Sequence, residues 1–190
     1  MVEIKKKVWE TFKIEVPFSS EISCEYNNTE KVLTIKGPKG EVSKILKFPR
    51  VFIKVENSKV IVGTEKFSKK EKKIIFTYKA HIKNMIYGVL NGYEYNLVIL
   101  YAKFPMTVTL NGNIFTVKNL LGEKVPRLVT IPSDVKVVIK GKDITVTGID
   151  KEKVGQVAAS LEQSTRVLNM DRRIVQDGIF ITKKGKREEI

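Results

Sequence analysis

The side chains able to do chemistry in this chain are almost all cations. There is one histidine, His81, and one cysteine, Cys24. A nucleophile needs a base beside it, and a lone histidine next to the apolar stripe of a helix reads as a packing or surface residue. Cys24 stands in a strand-like segment with no second histidine to complete a Cys-His pair. No group of Cys and His has zinc spacing. The carboxylates are scattered among lysines and read as solvated surface. Enzyme chemistry has nothing to build on, and neither a metal nor a cofactor is expected.

The cations are another matter. Net charge is +14 with a pI near 9.7, an excess that repels itself unless a polyanion neutralises it. Nucleic acid is the first partner to consider and an anionic membrane surface the second. Residues 1–91 carry 19 basic and 10 acidic side chains, and residues 92–190 carry 16 and 11, so both halves are positive. The most suggestive set is C-terminal: Arg166, Arg172, Arg173, Lys183, Lys184, Lys186 and Arg187. Arginine suits bidentate phosphate recognition and stacking on bases. The runs Lys5-Lys6-Lys7, Lys69-Lys70 and Lys72-Lys73 read as solvated faces on which phosphate contact stays open. Gly37-Pro38-Lys39-Gly40 has the spacing of a phosphate-clamping loop that in KH domains joins two helices. Here it lies between two strand-like runs, so a hairpin turn is the better reading. One thiol suits a reducing compartment. No segment has the ~20 apolar residues of a membrane span, so a cytoplasmic, soluble protein without a membrane partner is expected.

These residues must be positioned by short strands and two helices. Val32 to Ile35, Val42 to Phe48, Val51 to Val55 and Val60 to Val62 read as strands. The period then changes: Phe67, Ile74, Ile75, Tyr78, Ile82, Met85, Ile86 and Val89 form one apolar stripe on a helix from about Ser68 to Leu90, stopped by Asn91-Gly92. The second half repeats the order. Strands are expected at Tyr93 to Ala102, Met106 to Leu110, Ile114 to Val117, Lys124 to Ile131, Val135 to Ile139 and Ile144 to Thr147. A helix follows, N-capped by Asp150, with the stripe Val154, Val157, Ala158, Leu161, Thr165 and Leu168, and a last strand at Ile179 to Thr182. KVLTIKGPKGEVSKIL (31–46) lies over NIFTVKNLLGEKVPRL (113–128) at an offset of 82, with Thr34/Thr116, Lys36/Lys118, Gly40/Gly122, Glu41/Glu123 and Leu46/Leu128 identical. Lys54/Lys136 and Val55/Val137 keep that offset, and a two-residue slip then sets Val60 and Val62 on Ile144 and Val146. The expected fold is α+β: two tandem, duplicated two-layer domains, 1–91 and 92–190, each a mainly antiparallel sheet covered by one long helix.

Several of these segments resemble the family of the universal large-subunit ribosomal protein six, in its archaeal and eukaryotic branch, whose eukaryotic member is called protein nine. LTIKGPKGEVSKIL is similar to the family's first hairpin, HIKNMIYGVLNGYEYNL (81–97) to its interdomain helix, and YAKFP (101–105) and NLLGEKV (119–125) to second-domain motifs. Between Gln163 and Lys184, the residues Gln163, Arg173, Asp177, Gly178, Ile179, Phe180 and Lys184 match its pattern, while Met170 stands where a basic residue is usual and Val175 where Phe is usual. The resemblance implies a non-enzymatic, single-copy component of the large ribosomal subunit in the cytoplasm. It implies binding of ribosomal RNA near the sarcin-ricin loop, among neighbouring proteins of the stalk base, mainly through the second domain and C-terminal segment. With the charge placement, it points to Lys118, Lys124 and Arg127 around the second-domain hairpin, and to the seven C-terminal cations, as RNA-binding residues. The alternative is an architectural DNA-binding protein with duplicated α+β halves, which wedges paired phenylalanines into the minor groove. Phe48 falls opposite Thr130 and Phe115 opposite Leu33, so that pairing is absent.

Overall fold

The computed structural model describes residues 12–56, 58–64, 68–102, 104–168, 170–171 and 173–185. The chain divides into two compact units, Met1–Leu90 and Asn91–Ile190. All strand pairings between described residues are antiparallel.

The first unit runs β1 (Phe12–Pro17), β2 (Ser23–Asn27), β3 (Val32–Gly37), β4 (Gly40–Ile45), β5 (Val51–Glu56), β6 (Lys59–Thr64) and α1 (Lys69–Leu90). Its strands form two three-stranded sheets, β1-β6-β5 and β2-β3-β4, where the sequence suggests one. The helix packs on strands of both, so its single stripe closes a core shared by two small sheets. Alternation sends Val60 and Val62 of β6 and Leu33 and Ile35 of β3 inward, against Ile75, Ile82 and Val89 of α1, all fully buried. Ser68 starts the helix: its hydroxyl accepts from the Lys70 N–H at 3.3 Å and donates to the Glu71 carboxylate. Gly92, at φ 75°, takes the left-handed turn that stops α1. Phe67, expected on the stripe, lies outside the described residues.

The second unit runs β7 (Tyr93–Leu100), β8 (Thr107–Asn111), β9 (Ile114–Lys118), a 3-10 turn (Leu120–Gly122), β10 (Arg127–Thr130), β11 (Val135–Lys140), β12 (Asp143–Gly148), α2 (Lys151–Ser164) and β13 (Gly178–Lys183). The sheets are β8-β9-β10 and β11-β12-β7-β13. Phe115, Leu97, Ile144, Leu161 and Ile179 centre the core. Asp150 caps α2 by accepting the Glu152 N–H at 2.9 Å. The stripe ends earlier than its spacing suggests: α2 stops at Ser164, and Leu168 is 71% exposed.

The strand orders of the units correspond, β1-β6-β5 to β7-β12-β11 and β2-β3-β4 to β8-β9-β10, with β13 additional in the second. Register corrects one detail of the self-comparison. Ile53 pairs with Val62, and Val137 with Val146. With Val62 set against Val146, Ile53 falls on Val137, so the two-residue slip lies before β5. Lys54 and Lys136 occupy different places in their strands.

Candidate nucleic-acid interface

The link between β9 and β10 is tightly wound. Asn119 and Leu121 are both left-handed, at φ 61° and 49°, a strained choice for leucine. Leu120 is buried and anchors the turn in the core. Asn119 Nδ2 donates to the Pro105 carbonyl at 3.0 Å, and the Glu123 N–H to the Leu120 carbonyl at 2.9 Å. This link occupies the first residues of the strand expected from Lys124, so β10 begins only at Arg127. Lys118, the last residue of β9, and Lys124, inside the link, are both exposed.

Arg127 is not a free cation. Its Nε donates to Glu123 at 2.8 Å, and its Nη2 to the other oxygen of the same carboxylate. Its Nη1 donates to the carbonyls of Ser164 at 2.8 Å and Arg166 at 3.0 Å. The fork thus joins the link to the C-terminal end of α2, where unpaired carbonyls and the negative end of the helix dipole favour a cation. The hydrogen-bonded Arg127 holds the Glu123 carboxyl below the usual range. Lys118, Lys124, Arg127 and the exposed Arg166 are brought to one end of the unit, since Arg127 pairs in register with Val117, the neighbour of Lys118.

Beyond α2 the chain is tied back by two residues of the recognised C-terminal pattern and one that precedes them. Thr165 is buried; its hydroxyl accepts the Ile179 N–H at 2.8 Å and donates to the Glu162 carbonyl at 3.1 Å. Asp177, also buried, accepts the Ala102 N–H at 2.9 Å. Gly178 has φ 151°, and a Cβ there would lie 3.3 Å from the Thr165 hydroxyl. Between these anchors Arg173 is exposed and paired with Asp171 through its Nε and Nη2 (Nη2 to Oδ2 2.6 Å). Val175 lines a small hollow with Thr165, Asp177 and Phe180; nothing in the structure explains Met170, which is 55% exposed. Lys183 and Lys184 are exposed at the far end of β13, about 17 Å along the strand from Gly178. The described cations of this set therefore form two groups, not one. Arg172, Lys186 and Arg187 lie outside the described residues.

Some residues with fitting chemistry carry no sequence signal. Tyr101 is 37% exposed with Lys142 Nζ 4.6 Å from its ring centre, and Phe104 is 47% exposed. Exposure of an aromatic is decided by tertiary packing and cannot be read from spacing. Elsewhere, Lys44 Nζ donates to His81 Nδ1 at 3.0 Å, and burial pushes the Cys24 thiol up to about 11, leaving it protonated. Among the described residues no three metal-ligating side chains gather, and no helix is long and apolar enough to cross a membrane.

Comparison with known proteins gives the family. The sequence profile of the family described as Ribosomal protein L6 matches residues 21–92 and 104–178. The chain belongs to the ribosomal protein L6 family. The large ribosomal subunit protein uL6 of Methanobrevibacter smithii is 44% identical over 172 residues, 90% of this chain and 94% of its own length. That of Archaeoglobus fulgidus is 43% identical over 180 residues, 94% and 91%, and that of Methanococcus vannielii 44% over 173 residues, 91% and 93%. These relatives put the chain in the archaeal and eukaryotic branch of the uL6 family. It is a ribosomal protein, a structural component rather than an enzyme.

Proposed function

We propose that this chain holds large-subunit ribosomal RNA in position near the factor-binding region, beside the sarcin-ricin loop and the neighbouring proteins of the stalk base, as a single copy. The observation that carries the reading is the gathering of Lys118, Lys124 and Arg166 around the Arg127 clamp, on a unit whose C-terminal segment continues into Arg172, Arg173, Lys183, Lys184, Lys186 and Arg187. Phosphates are met by the exposed cations, while Arg127 positions them. A-form RNA is read through shape, phosphates and 2′-hydroxyls, and binding draws on counterion release. The corresponding strand orders and the 82-residue offset support descent of domains 1–91 and 92–190 from one duplicated ancestor.

The test is alanine substitution of Arg172, Arg173, Lys183 and Lys184 together. Affinity for a large-subunit rRNA fragment should drop, and the slope of log K against log salt should fall by up to about 3–4. Unchanged affinity and slope would overturn the assignment. So would tighter binding to duplex DNA than to the rRNA fragment.

A further inference from the structure

The geometry points to a second RNA-binding surface in the first unit: the outer face of the N-terminal two-thirds of α1, taking a single RNA strand with its phosphates on lysines and one base stacked on Phe76. Lys69, Lys72, Lys73, Phe76, Lys79 and Lys83 recur at spacings of three and four and so share one side of the helix. The stripe spans about 21 Å, long enough to run beside several successive phosphates. Lys69, Lys72 and Lys73 are exposed, and Lys79 and Lys83 are half-buried. Glu71 is the only acid of α1; it is buried, and the Ser68 hydroxyl and Arg50 occupy it. Among the described residues no carboxylate pairs with any of the five lysines.

An exposed phenyl ring in the middle of such a stripe decides the partner. Phe76 is 45% exposed; its ring centre lies 6.2 Å from that of Phe12 with the rings tilted by 40°, and Lys79 Nζ sits over the ring, 5.9 Å from its centre. Packing on Phe12 leaves nearly half of Phe76 exposed, at the centre of the lysine stripe. A sequence-tolerant single-strand site has both, a cationic track for the backbone and a ring on which any base can stack. An acidic protein segment would use the lysines but would gain nothing from the exposed part of the ring.

This inference rests on the chain being an RNA-binding ribosomal protein, and the experiment separates the two. The full chain is titrated with a fluorescent twelve-residue oligouridylate over a salt series. The variants are Lys72→Gln/Lys79→Gln/Lys83→Gln, Phe76→Leu and, in the second unit, Arg166→Gln/Lys183→Gln/Lys184→Gln; circular dichroism checks that each melts like the parent. The α1 triple variant should weaken binding and lower the salt slope by about 2. Phe76→Leu, which keeps an apolar side chain beside Phe12, should weaken binding about tenfold with the slope unchanged. If both α1 variants bind like the parent while the second-unit variant is weakened, the stripe is an idle face and the inference falls alone. If all three bind like the parent, the RNA-binding reading falls with it. If polyglutamate displaces the oligouridylate equally well and Phe76→Leu changes nothing, the surface serves an acidic protein segment and the inference is overturned.

Discussion

The guanidinium of Arg127, on a strand, donates to the carbonyl of Ser164, the last residue of α2, at 2.8 Å. A side chain 37 residues upstream thereby closes the helix, and its second arm fixes Glu123 in the strained link. Arg127→Ala should destabilise the second unit by about 1–2 kcal/mol, the range for losing charge-assisted hydrogen bonds that are partly exposed to water. Arg127→Lys should not restore it, because an ammonium cannot span a carboxylate and two carbonyls in one plane. Urea unfolding followed by a probe in the second unit measures both. Because the fork is occupied, the salt slope of RNA binding should change little; a drop of about 1 would mean that Arg127 meets a phosphate itself.

Thr165 ties α2 to β13 by the same logic. In Thr165→Val the shape is kept but the buried Ile179 N–H loses its acceptor, at a cost of about 1–3 kcal/mol. Hydrogen exchange at the Ile179 amide should speed up, and Thr165→Ser should restore protection. Unchanged exchange in the valine variant would show that the hydroxyl is dispensable.

These two residues show where sequence reading stops. The stripes of α1 and α2, and strands rich in Val and Ile such as β6 and β12, are legible because burial imposes a period. The strand β1 escapes it, because Lys13 and Glu15 alternate with Ile14 and Val16 over too few residues; of β2 only the strand-like setting of Cys24 is legible, since Ser23, Glu25 and Asn27 leave little apolar signal. The basic residues of the interface are legible as charge, but their use is not. Arg127 looks like any other cation until its partners at Ser164 and Arg166 are seen, and the described C-terminal cations, part of one set in sequence, are two groups in space. Thr165 fits the helical stripe by spacing yet serves as a hydrogen-bonding anchor one residue past the helix.

The Gly37-Pro38-Lys39-Gly40 turn is a hairpin tip docked on α1. The Lys39 N–H donates to the Val89 carbonyl at 3.1 Å, and a Cβ on Gly37 would lie 2.2 Å from Val89 Cγ1. Val89 is fully buried and, being β-branched, has little rotamer freedom. Gly37→Ala should therefore destabilise the first unit by about 1–3 kcal/mol through overpacking, read as lower amide protection along α1. Gly37→Ala/Val89→Ala should recover part of the loss, since it makes room for the new methyl; no recovery would place the strain elsewhere.

Acid should loosen the first unit through Glu71. Its carboxyl lies below the usual range because the Ser68 hydroxyl donates to it, then through its own backbone N–H and the Arg50 guanidinium 3.9 Å away. A carboxyl depressed in the folded state contributes stability that is complete above its unfolded value, near 4.5, and is lost as pH falls through the lower folded value. Glu71→Gln keeps the side chain's size but removes the charge. It should lower the protection of α1 amides at neutral pH and flatten their loss of protection in acid, after correction for intrinsic exchange. Amides in the second unit are the control, because Glu123, Asp134 and Asp171 are also depressed there, each by its own cationic partner. Their acid response should be the same in parent and variant. If α1 of the variant loses protection in acid as steeply as the parent, another group sets the acid limit of the first unit.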